Sequence, residues 1–81
     1  MSGDRMVTRY EFVVTGAASP MVVAAFEDFV VSSPEDGMLA LVGTVPDESG
    51  LHGVLHRLQS LGLTIIEVRR LGDEVAPYPA K

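Results

Sequence analysis

VPDESGLHGVLHRLQSLGLTIIEVRRL, residues 45–71, reads as a helix with both of its ends, followed by a strand. Leu51, Val54, Leu55, Leu58 and Leu61 recur at i, i+3, i+4, i+7 and i+10. That spacing puts them on one face of a helix with 3.6 residues per turn. Asp47 is placed to cap the first turn by accepting from free backbone N–H groups, and Gly62 can take the left-handed conformation that ends a helix. Thr64 to Leu71 then supplies a strand rich in β-branched residues.

Upstream, Tyr10, Phe12 and Val14 alternate with Glu11, Val13 and Thr15, the period of two of a strand with one face toward a core. Ser19 and Pro20 are an N-cap and first helical residue, which predicts a short helix over Pro20 to Asp28 with Val22, Ala25, Phe26 and Phe29 inward. Phe29 to Ser33, the turn Pro34-Glu35-Asp36-Gly37 and Met38 to Val45 read as a β-hairpin. The alternative extends the first helix through Val31 and leaves one strand fewer. The order strand, helix, strand, strand, helix, strand predicts an α+β fold: a ferredoxin-like βαββαβ sandwich, with a four-stranded antiparallel sheet and two helices on one face. Its expected bounds are a loose arm over 1–8, one domain over 9–72 and an extended tail over 73–81.

Composition narrows the function. Hydrophobic residues make up 47% and charged residues 21% of 81 residues, which predicts one small folded domain that gains from association. There is no cysteine, hence no disulfide, thiol nucleophile or thiolate metal site. The start MSGDRMVTRY lacks the apolar centre of a signal peptide, and the longest apolar run falls far below the roughly 20 residues that cross a bilayer. The expectation is a cytoplasmic protein without a membrane partner. A net charge of −5, with basic residues scattered apart from Arg69 and Arg70, gives no positive field for phosphates, so nucleic acid is not an expected partner.

A sheet covered on one side leaves the other to explain. Val13, Ile65 and some of Leu39, Leu41 and Val45 are expected to point away from the helices, and an uncovered apolar face of this kind marks a partner or ligand surface. Glu11 and Glu67 are each the only carboxylate in their predicted strand and should point to that open face, and with Arg69 and Arg9 nearby they are expected to form ion pairs that set dimer register. His52 and His56 share a helix face four residues apart, the spacing of a zinc pair. They lie on the polar side with no third ligand in the pattern, so the expectation is solvated surface histidines and no metal. The paired acids Glu35-Asp36, Asp47-Glu48 and Asp73-Glu74 read as turn and cap residues. No serine nucleophile motif, phosphate loop or cofactor motif occurs.

Asp47, Gly50 and Leu51, read as D-x-x-G-L, followed by Leu55, Leu58, Gly62 and Ile65 or Ile66, resemble a strand-helix-strand unit of the ACT domain family, small ferredoxin-like modules that bind amino acids at dimer interfaces. The resemblance implies ligand contacts at Asp47, Gly50 and Leu51. In that family the motif usually follows the first strand, whereas here it follows the third. The whole chain also resembles short actinobacterial proteins of unassigned role. The expected function is therefore a non-catalytic homodimeric binding or regulatory module, free of cofactors, holding a small molecule such as an amino acid at its interface. The competing readings are a small cofactor-free cyclase or monooxygenase with a cavity on the open sheet face, and a protein-interaction subunit.

Overall fold

The computed structural model describes residues 4–77. They form β1 (Asp4–Thr15), α1 (Pro20–Ala25), β2 (Val30–Ser32), β3 (Met38–Val45), α2 (Glu48–Ser60) and β4 (Thr64–Pro77). The strands make one sheet in the order β2-β3-β1-β4, every neighbouring pair antiparallel. Residues 29–33 thus contribute a hairpin strand and do not prolong α1, as β-branched Val30 and Val31 favour.

Residues of β1 and β3 that face each other share a side of the sheet. Phe12 pairs with Leu41 and Val14 with Leu39, and all four are fully buried. Val22 of α1, Phe26 just past its end, and Val54 and Leu58 of α2 join the same cluster, so both helices contribute to the core on that side. Phe29 packs against Phe12 and, edge-on, against Phe26, with centroid distances of 6.1 and 5.5 Å. It lies over Gly43, where a Cβ would come within 2.6 Å of the ring. Arg57 of α2 stacks 5.2 Å from the Phe26 centroid and donates Nη1 to the Ala25 carbonyl at 3.0 Å, tying the two helices together.

The caps follow the sequence. Ser19 Oγ accepts from Val22 N at 3.3 Å, and α1 stops at Ala25, short of the Asp28 expected. At the end of α2, Gly62 N–H donates to Gln59 O at 3.0 Å and Leu63 N–H to Leu58 O at 3.1 Å, a Schellman closure with Gly62 at φ +80°. It turns Leu63 into the core beside Leu58.

The strand boundaries move outward from those expected. The ladder between β1 and β4 runs from Thr15↔Thr64 to Asp4↔Pro77, so residues 4–7 and 74–77, beyond the last β1–β3 pair Thr8↔Val45, form a two-stranded ribbon. Asp73 and Glu74 therefore lie in a strand, not a loop. Residues 1–3 of the expected arm and 78–81 of the expected tail lie outside the described residues.

The open-face assignment needs correction at two places. Val14 pairs with Ile65 but Val13 with Glu67, so Ile66 is an extra residue in β4. This bulge puts Ile65 and Glu67 on opposite sides, although they are two residues apart. Ile65 packs against the core, and Glu67 keeps the open side. Leu39, Leu41 and Val45 likewise belong to the core, leaving Ala40 and Val42 as the β3 residues paired with Val13 and Glu11.

Candidate functional site

Two rows of residues cross the uncovered face. Ser32, Ala40, Val13 and Glu67 form one; Val30, Val42, Glu11 and Arg69 form the next. The β2, β3 and β1 positions are mostly small and apolar, and the charges gather on the β1–β4 side. Val30 is 70% exposed, which makes it the open end of this apolar strip.

At the other end Arg69 donates both Nη2 (2.7 Å) and Nε (3.2 Å) to Glu11 Oε1, across the β1–β4 pair. Glu67 Oε2 lies 3.9 Å from the same Nε, along the strand. The hydrogen bond and charge of Glu11, then the charge of Glu67, raise the Arg69 pKa above its ordinary value. Glu11 and Arg69 are thus paired within one chain, and Val13 sits half-buried beside them.

Asp47, Gly50 and Leu51 are brought together by capping. Asp47 Oδ1 accepts from Gly50 N at 2.8 Å, and the Asp47 carbonyl accepts from Leu51 N at 3.1 Å. A Cβ on Gly50 would meet Pro46 Cδ at 3.0 Å, so the packing of Pro46 gives this glycine a structural reason. The amides that the ACT resemblance assigns to a ligand are already engaged by Asp47. His52 and His56 are exposed on α2, and no cluster of three or more His, Cys, Asp or Glu able to hold a metal is found among the described residues. No pocket is detected there either.

A second polar group was not singled out from the sequence. Arg70 Nη2 reaches both Asp73 oxygens, at 2.7 and 2.8 Å, and Thr8 Oγ1 donates to Asp73 Oδ1 at 2.8 Å. The hydrogen bond from Arg70, then that from Thr8, holds the Asp73 carboxyl below the usual aspartate range. The signal was Val75, a β-branched residue beyond Gly72 that continues the strand pattern on the far side of an apparent stop.

Among the described residues no helix is long and apolar enough to cross a membrane. No curated protein and no solved structure matches the chain. A family model does match, over residues 9–69, the span from the middle of β1 to the Glu11–Arg69 pair. The chain belongs to that family, described as Domain of unknown function (DUF8691).

Proposed function

We propose that this chain is a non-catalytic, homodimeric binding module of the ferredoxin-like βαββαβ type, with the uncovered sheet face as its recognition surface. The element order and the strand order β2-β3-β1-β4 support that topology. One observation carries the functional reading: the strip Val30, Val42 and Val13, bordered by the Glu11–Arg69 pair. Apolar surface supplies binding free energy and the charged border supplies orientation, which suits a small metabolite with a carboxylate or amino group. The face is preferred over Asp47, Gly50 and Leu51 because capping engages the amides there.

Two measurements test the proposal. In a thermal-shift screen against amino acids and other small metabolites, at least one compound should raise the melting temperature, and Arg69→Gln should remove the rise. Silence across the screen overturns the ligand part. Sedimentation equilibrium should give a dimer, and a monomer at every concentration overturns the association part.

A further inference from the structure

The two edges of the sheet are unequal. β2 is a three-residue strand, too short to template another chain, whereas β4 runs for 14 residues with no neighbour on its outer side among the described residues. An edge of that length offers a row of unpaired N–H and C=O groups. β4 carries no lysine, and its only proline is its last residue, Pro77. Ile66, Val68, Leu71 and Val75 along it are all between 39% and 59% exposed, apolar enough to favour a partner strand.

The charges of β4 say which partner fits. Val68-Arg69-Arg70-Leu71 is followed by Gly72-Asp73-Glu74-Val75: apolar, two cations and a centre, then a centre, two anions and apolar. Run antiparallel against itself about a two-fold axis between residues 71 and 72, the segment matches Arg70 with Asp73, Arg69 with Glu74 and Val68 with Val75. Facing residues must also share a side of the sheet. In a regular strand residues 70 and 73 would not, but Tyr10 pairs with Arg70 and Arg9 with Gly72, so Leu71 is a second extra residue. Past this bulge, Arg70 and Asp73 lie on the side of Tyr10 and Thr8, Arg69 and Glu74 on the side of Glu11 and Val7, and Val68 and Val75 on the side of Phe12 and Met6. All three matches therefore agree in side as well as in chemistry.

We propose that two copies of this chain pair antiparallel along β4 in that register, setting Arg70 against the partner's Asp73 and Arg69 against the partner's Glu74. The contact is isologous and closes on itself. It makes one eight-stranded sheet with all four helices on one side, and leaves the apolar strips of both recognition faces uncovered. The inference rests on the homodimeric reading above and adds its surface and register.

Charge exchange tests it. Arg70→Glu and Asp73→Arg each set like charges against each other twice in a homodimer, so each variant should sediment as a monomer at concentrations where the parent chain is a dimer. An equimolar mixture restores both pairs and should sediment as a one-to-one dimer. Both side chains are exposed, and far-UV circular dichroism checks that each variant folds. The chain has no cysteine, so Val68→Cys mixed with Val75→Cys under an added oxidant such as oxidised glutathione should form an inter-chain disulfide without any change of charge. If both charge variants stay dimeric, or their mixture stays monomeric, or no cross-link forms while the parent is a dimer, this register is overturned and the homodimeric reading stands. If the parent chain is itself monomeric throughout, both fall.

Discussion

Asp47 serves two backbone amides of α2, through its side chain to Gly50 and its carbonyl to Leu51. A cap oxygen stabilises by satisfying a donor that the helix itself leaves unpaired. Asp47→Ala should therefore cost about 1 kcal/mol, while Asp47→Asn, which keeps an acceptor, should lose only a few tenths. Urea midpoints at unchanged slope would show this difference; equal losses in the two variants would point to the charge in place of the cap. The capping role was readable from the sequence because the apolar stripe fixes where the helix must start. The close approach of Pro46 to Gly50 was not, since it depends on how the chain enters the helix. An acid, two residues and a glycine describe a ligand loop and a capped turn equally well, and only the hydrogen bonds tell them apart. Ile65 was out of reach for a related reason: alternation assigns sides only while the strand stays regular.

At the scale of elements, both helices and the hairpin were legible because each carries local punctuation: Ser19-Pro20, Pro34 to Gly37, Asp47 and Gly62. The length of β4 was not, because Gly72 followed by two acids resembles a turn. Its continuation is held by long-range partners, among them Thr8 on Asp73, 65 residues apart in sequence. That contact carries a pH signature. Arg70 first and Thr8 second lower the folded pKa of Asp73, whereas the unfolded chain keeps the ordinary one. Above the unfolded value the carboxylate is ionised in both states and its stabilisation is fully present; as pH falls through the lowered folded value, the stabilisation is lost. A carboxyl-carbon NMR titration should place the Asp73 midpoint below that of a free aspartate, and Asp73→Asn should flatten the acid limb of the stability profile. A midpoint at or above the free value would remove the Arg70–Asp73 pair from solution.

The whole molecule is drawn out along β1 and β4. Its longest dimension is 45 Å against 24 and 21 Å, close to the reach of a 14-residue strand at about 3.3 Å per residue. The helices do not cover that length evenly. Every residue of the main core cluster lies between Phe12 and Leu63, and Val7, although buried, stands outside it. The ribbon of residues 4–7 and 74–77 is two strands wide, and a two-stranded ribbon alone is marginal in water. In a lone chain it should therefore open locally at far lower free energy than the four-stranded part. Pairing along β4 would widen the sheet at the ribbon from two strands to six on both sides of the two-fold axis, because Glu74 and Val75 then face Arg69 and Val68 in the four-stranded part of the second copy. Hydrogen exchange resolved by residue distinguishes the two states. At low concentration the amides of Glu74 and Val75 should exchange faster than those of Phe12, Val14 and Leu41, and raising the chain concentration should slow them while leaving the core amides unchanged. Arg70→Glu should abolish that concentration dependence. Ribbon amides that exchange at one rate across all concentrations would show that the edge of β4 stays unpaired.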